Sequence, residues 1–250
     1  MTQAEPTSPR RQGSYGVDAP RPLLGLVMSG AATLLASITN VGVGNTAWAA
    51  VTFAASALMW ISVGLYLHTT RRGKFQVWSR VLDDLDLRGD EQILDLGCGR
   101  GAVLLMAAQR LTTGRAVGVD LWRKVDQSGN SVEVTERNAV AEGVADRVEL
   151  YTGDMRELPF SDAEFDVVVS SLAIHNIPPD AGRLKAIDEA MRVLRPGGRL
   201  AIADIAGIRH YRRRLAEFGA TDVRVRSLGW RMWWAPWAHT RLITAAEPAR

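Results

Sequence analysis

The chain has a single cysteine, Cys98, among 250 residues. No disulfide can close within it, which fits a reducing compartment. Histidine is scarce too, with four in all. Neither paired cysteines nor a His-x-x-x-His spacing occurs, so no metal site is expected. Strong charge of either sign is also missing: the formal net charge is only +3. Nucleic acid is therefore not an expected partner. The cluster Arg212, Arg213 and Arg214 reads as a solvated helix face.

The sharpest absence is local. From Pro22 to Thr70 there is no Asp, Glu, Lys or Arg, a run of 49 residues. A bilayer core takes about 20 apolar residues per helix. The run is too long for one span and suits two, broken near Asn40-Val41-Gly42-Val43-Gly44-Asn45, where Gly and Asn favour a turn. Helices are expected at about Leu23–Val41 and Thr46–Leu67, with Gly30, Ala36, Ala54 and Ala57 allowing close packing in lipid. Frequent Ser and Thr leave a buried soluble hairpin as the alternative. A cleaved signal peptide does not fit, because its apolar region is about 7–15 residues. Arg10, Arg11 and Arg21 precede the run, and Arg71, Arg72 and Lys74 come after it. The positive-inside rule then puts both ends in the cytoplasm, with the protein in the inner membrane.

The chain divides into four regions. Residues 1–21, rich in Pro, Ser, Gly and Arg, read as a flexible tail. Residues 22–70 form the transmembrane hairpin. Residues 71–90 hold an amphipathic linker helix over Lys74–Leu87, with Phe75, Trp78, Val81, Leu82 and Leu85 at helical spacing. Residues 91–250 alternate strands and helices. Strands are expected at Gln92–Leu96, Arg115–Leu121, Arg147–Thr152, Phe165–Leu172, Arg199–Ile205, Thr221–Ser227 and Arg241–Ala246. Helices are expected at Gly101–Leu111, Asn130–Glu142, Arg183–Leu194 and Tyr211–Phe218, the third ended by Pro196-Gly197-Gly198. This is an α/β pattern: a Rossmann-like, doubly wound, mainly parallel seven-stranded sheet. Uninterrupted runs such as Val167-Val168-Val169 suit strands covered on both faces.

The chemistry centres on Asp95-Leu96-Gly97-Cys98-Gly99-Arg100-Gly101. A strand runs into a glycine-rich turn and then a helix, which lets a ligand approach the backbone closely. A second strand ends in Gly118-Val119-Asp120, whose carboxylate can accept from both ribose hydroxyls. A third ends in Gly153-Asp154-Met155, placing an acceptor for an adenine amino group. The fourth gives Phe165-Asp166-Val167-Val168-Val169-Ser170. A nicotinamide dinucleotide would favour G-x-G-x-x-G, whereas Gly101 comes two positions after Gly99 and Ala102 takes the third place.

The ordered motifs DLGCGRG, GVD, GDM, LPF, FDVVVS and LRPGG resemble those of class I S-adenosylmethionine-dependent methyltransferases. The resemblance covers roughly residues 90–248 and lies near the type 11 group that methylates ubiquinone and menaquinone precursors. It implies that Asp95, Gly97, Cys98 and Gly99 hold the methionine part of S-adenosyl-L-methionine. Asp120 would bind ribose, with Leu121 beside adenine, and Asp154 and Met155 would address the adenine edge. Ser170 and Leu172 would line the pocket near the methyl group.

Methyl transfer needs an aligned nucleophile in a dry pocket, and a base only if a proton must leave. The base candidate is His175; lining the substrate pocket with Asn176, or a structural role, are its alternatives. The polar connection 121–130 offers Trp122, Asp126 and Asn130 to substrate, or else Asp126 or Ser128 as a helix cap. The segment Trp230-Arg231-Met232-Trp233-Trp234-Ala235-Pro236-Trp237 suits a membrane interface, an active-site cover or packing on the hairpin. The acceptor is expected to be small or lipophilic. Rival readings are a membrane-bound interaction protein with an inactive fold, and a protein or nucleic-acid methyltransferase.

Overall fold

A computed structural model describes residues 11–249. Two long helices come first, α1 (Pro20–Gly42) and α2 (Thr46–His68). Gly44 turns the chain at φ +75°, and the Asn45 side chain caps α2 by accepting from Trp48 N. The two helices pack on each other through small residues. Ser37 Oγ donates to Ala49 O at 2.8 Å, and Ser56 Oγ donates to Gly30 O at 2.9 Å. Their outer faces are bare: Leu24, Met28, Leu35, Ile38, Phe53 and Ile61 are all more than half exposed.

No loop separates α2 from the next helix. A π turn over Thr69–Gly73 carries the backbone straight into α3 (Lys74–Asp84). The separate linker helix read from the sequence is thus the inner end of a rod running Thr46–Asp84. Its amphipathic face buries Phe75, Trp78, Val81 and Leu82, as the spacing predicts.

The domain then alternates β1 (Gln92–Leu96), α4 (Ala102–Ala108), β2 (Arg115–Asp120), α5 (Val132–Ala141), β3 (Val148–Thr152), β4 (Phe165–Ser171), α6 (Asp180–Val193), β5 (Leu194–Asp204), α7 (Ile208–Glu217) and β6 (Thr221–Ser227). A short hairpin, β7 (Trp233–Ala235) and β8 (Ala238–His239), precedes β9 (Arg241–Ala246). The main sheet has seven strands in the order β3-β2-β1-β4-β5-β9-β6, with β9 antiparallel to both neighbours. The chain order reverses direction between β1 and β4, and ligands bind at such switch points.

Alternation along the strands explains the apolar runs. Ile93, Val167 and Val169 face one core with α3 and α4, including Trp78 and Leu104. Leu94, Leu96 and Val168 face the other with α6 and α7, including Ile187 and Tyr211. A strand buried on both faces has no polar positions to spare.

Three readings change. Residues 12–18 are not loose. They form a strap: Gln12 N and Gly13 N donate to Glu142 Oε1, Ser14 N donates to Asn138 Oδ1, and Val17 N donates to Ser128 Oγ. The remainder of the expected tail, 1–10, lies outside the described residues. Pro196-Gly197-Gly198 does not act as a stop after α6. The chain passes directly into β5 at Leu194, and these residues bulge from that strand where its register with β4 shifts. Lys74, counted among the flanking cations, is buried and paired with Asp18, whereas Arg71 and Arg72 are exposed.

Candidate cofactor and active site

The C-terminal ends of β1, β2, β3 and β4 open on one cavity of about 310 Å³. Asp95, Asp120 and Asp154, from three different strand ends, all line it. Gly97, Cys98, Gly99, Leu121, Met155 and Leu172 line it as well. So do Asp126 and Asn176.

The glycine turn is shaped by positive φ at Gly97 (+73°), Gly99 (+52°) and Gly101 (+81°). Gly97 N and Cys98 N donate to Val119 O, tying the turn to β2. A Cβ on Gly97 would collide with the Ala173 Cβ, and one on Gly99 would sit 2.5 Å from Gln127 Oε1. Only glycine lets these three segments close around the cleft.

Asp120 organises the turn from across the cleft. Its Oδ2 accepts from Gly99 N at 2.8 Å; its Oδ1 accepts from Trp122 N at 2.6 Å and Asn130 Nδ2 at 3.1 Å. Burial pushes its carboxyl upward, and these three donors oppose that. Asp154 lies half-buried, with its oxygens held by Arg156 Nε and Nη2, and this partner pulls its carboxyl below the usual value. Asp95 differs. It is 1% exposed, and its Oδ1 has no hydrogen-bond partner among the described residues. Burial pushes this carboxyl up to about 8, with nearby Asp120 adding to the rise. Burial also drives the Cys98 thiol well above its ordinary value, so it stays protonated and is a poor nucleophile.

Several candidate residues sit elsewhere. Ser170 is fully buried and donates through Oγ to Leu96 O, so it braces β1 against β4; its neighbour Ser171 lines the cavity instead. Trp122 does not line the cavity; at φ +56° its Nε1 donates to Thr152 Oγ1 at 2.8 Å. The cap of α5 is Ser131, which accepts from Val134 N, not Asp126 or Ser128. His175 is not among the cavity walls, though Ala173, Asn176 and Ile177 are. Its Nδ1 lies 2.5 Å from Asp204 Oδ1, and its backbone N donates to Asp204 Oδ2. Tyr211 Oη donates to the same carboxylate at 3.2 Å. The tryptophan segment packs on the rod: Trp234 meets Tyr66 edge-on at 4.9 Å, and Trp230 stacks on His68 at 4.7 Å.

Sequence reasoning missed Asp18, Lys74, Gln127, Arg156 and Ser171 among the walls. Asp204 was missed too, although an acidic residue at the C-terminal end of a strand is a signal of the kind used for Asp120.

Fold and site together define a Rossmann-like α/β domain, with acidic strand ends around a glycine turn. Residues 93–198 match a family model described as a methyltransferase domain. These residues are similar to methyltransferase domains of the S-adenosylmethionine-dependent class. The chain is 36% identical over 166 residues to 27-O-demethylrifamycin SV methyltransferase of Amycolatopsis mediterranei, covering 64% of this chain and 57% of that protein. It is 33% identical to a ubiquinone/menaquinone biosynthesis C-methyltransferase of Roseobacter denitrificans, covering 54% and 50%. The chain spans about half the length of the curated relatives it matches. A geranyl diphosphate C-methyltransferase from Streptomyces coelicolor superposes with a TM-score of 0.55 at 18% identity, covering 69% of this chain and 77% of that one. The [4+2]-cyclase SpnF shares the fold with a TM-score of 0.56 at 19% identity, covering 69% and 82%. The fold alone therefore does not fix the reaction.

The cofactor of this class is S-adenosylmethionine, and the donor set fits it. Asp120 offers acidic oxygens for a ribose, and the unpaired Oδ1 of buried Asn130 lies beside it. The unpartnered Asp95 Oδ1 suits the amino-acid ammonium. Leu121, Met155 and Asp154 line the same cavity.

Proposed function

We propose that this chain transfers a methyl group from S-adenosylmethionine to a small, lipophilic acceptor, and that it does so at the cytoplasmic face of the inner membrane. The observation that carries the chemistry is the convergence of Asp95, Asp120 and Asp154 on one cavity, with Asp95 Oδ1 unpaired. A buried carboxylate oxygen without a donor is costly unless a ligand supplies one.

The cofactor, when bound, supplies an electrophilic methyl group. The protein's part is positional. Asp120 and Asn130 hold the sugar, Gly97 and Gly99 permit close backbone approach, and Leu172 and Ala173 exclude water near β4. Where the acceptor carries a proton, His175 is the candidate to take it, with Asp204 orienting the ring. The relatives' names include methyltransferases of demethylmenaquinone and of a phytyl naphthoquinone, which supports a quinone-like or comparably apolar acceptor.

The apolar helices support the membrane part. α1 and α2 have 23 residues each. That corresponds to about 35 Å of helix, enough for a hydrocarbon core of about 30 Å. Most exposed side chains on both are apolar, and Arg21, Arg71 and Arg72 gather at one end.

The test is incubation of the full-length protein with isotopically labelled cofactor, membranes and small-molecule extracts, and then mass spectrometry. A labelled lipophilic product is expected. Cofactor binding without any labelled product would favour an inactive interaction protein, and absence of binding at high micromolar concentration would defeat the enzyme reading.

A further inference from the structure

Two walls of the cavity come from outside the α/β domain. Lys74 opens α3 at the inner end of the rod, and Asp18 belongs to the N-terminal strap. Both line the cavity with Asp95 and Gly97.

The Asp18 carboxylate is saturated. It accepts from Lys74 Nζ at 2.9 and 2.8 Å, from Gln127 Nε2 at 2.9 Å and from Thr70 Oγ1 at 2.8 Å. These four contacts fill the roughly four acceptor positions of a carboxylate. Gln127 continues the chain, because its Oε1 accepts from Arg100 N in the glycine turn at 2.8 Å. An unbroken polar path thus runs from the glycine turn through Gln127 and Asp18 to the rod.

Lys74 is not saturated. An ammonium has three N–H donors. Two go to Asp18, and among the described residues the third has no acceptor. The side chain is 6% exposed, so water is a poor substitute. One turn further along α3, Trp78 Nε1 donates to Ser171 Oγ at 2.8 Å, which fixes this face of the helix over the end of β4. Lys74 therefore stands on the cavity wall one helical turn from the contact with the end of β4.

Resting on the methyltransferase reading above, we propose that Lys74 binds the carboxylate of the cofactor's amino-acid end, with Asp95 taking the ammonium and Asp18 positioning Lys74. The amino-acid end is a zwitterion, and the cavity offers it one buried cation and one buried carboxyl with an unpartnered oxygen, which ionises as the ammonium binds. The grip on the cofactor is then shared between the α/β domain and the rod and strap that precede it.

The experiment compares two probes by calorimetry on full-length protein in detergent. S-adenosylhomocysteine carries the amino-acid end; 5′-methylthioadenosine lacks it. Lys74→Gln should weaken S-adenosylhomocysteine about 10- to 100-fold, the range for a lost charge-assisted bond. It should leave methylthioadenosine unchanged, and Lys74→Arg should recover part of the loss. Equal affinity of wild type and Lys74→Gln for S-adenosylhomocysteine overturns the proposal. So does a parallel loss for both probes, which marks a merely structural lysine. If Lys74→Gln does not fold, Asp18→Asn gives the same readout, with a selective loss supporting the proposal and an unselective one or none overturning it. Failure of the wild type to bind either probe instead sinks the methyltransferase reading itself.

Discussion

His175 Nδ1 lies 2.5 Å from Asp204 Oδ1, joining the turn after β4 to the end of β5. Asp204 is 1% exposed and also accepts from the His175 and Ile205 backbone N–H groups and from the Tyr211 hydroxyl. A carboxylate so fixed holds the ring in one orientation and leaves Nε2 for other partners.

If His175 takes a proton during transfer, His175→Ala lowers kcat by about 100-fold or more, in the usual range for general base catalysis. The affinity for S-adenosylhomocysteine stays near wild type. Asp204→Asn gives a smaller loss in the same direction. A kcat unchanged in His175→Ala returns this residue to a structural role.

Asp120→Ala removes the acceptor for Gly99 N, Trp122 N and Asn130 Nδ2 as well as for the ribose. Cofactor affinity is expected to fall by at least about 10-fold, and stability by roughly 1–3 kcal/mol from the abandoned donors. Calorimetry with S-adenosylhomocysteine and chemical denaturation measure the two losses separately. Unchanged affinity would remove Asp120 from the sugar-binding role.

The raised carboxyl of Asp95, at about 8, sets a pH dependence. The ionised form pairs with the cofactor ammonium, so below about 8 a proton must leave on binding. Affinity should weaken as pH falls below about 8, by up to about tenfold per unit, and Asp95→Asn should flatten the profile while weakening binding. Stability runs the other way. Between the ordinary value of 3.8 and about 8, the folded ligand-free protein holds a proton that the unfolded chain has released. Its stability therefore declines as pH rises through that window. Asp95→Asn should raise the melting temperature of the ligand-free protein at neutral and higher pH. A decline that persists unchanged in this variant would assign it to other groups.

The membrane reading predicts where the α1–α2 turn lies. Cys98 is buried, so an engineered cysteine at Val43, which is highly exposed, is the accessible thiol among the described residues. In intact cells it should react with an impermeant maleimide from outside. Labelling only after lysis would reverse the orientation or remove the span.

Much of the architecture was legible because apolar period and glycine punctuation are local signals. Val167-Val168-Val169 announced a doubly covered strand, and Gly97, Gly99 and Asp120 announced the cleft. The features that escaped notice depend on distant partners. Lys74 looked like a flanking cation because nothing nearby reveals Asp18, 56 positions earlier. Residues 12–18 looked loose because their composition cannot build a core; their order comes from backbone N–H groups meeting Glu142, Asn138 and Ser128. Ser170 and Ser171 are adjacent on a strand and so point to opposite sides, and a shift of one residue exchanged a brace for a wall.

The join between rod and domain has no slack. A methyl on Gly73 would overlap the Arg231 carbonyl oxygen, so the helix and the turn that leads into the hairpin touch backbone to backbone there. Thr69 and Gly73 keep right-handed helical angles, so the backbone stays helical through the join. The exposed apolar half of the rod, the buried Lys74 on the cavity wall and Trp78 bound to Ser171 are thus parts of one continuous helix.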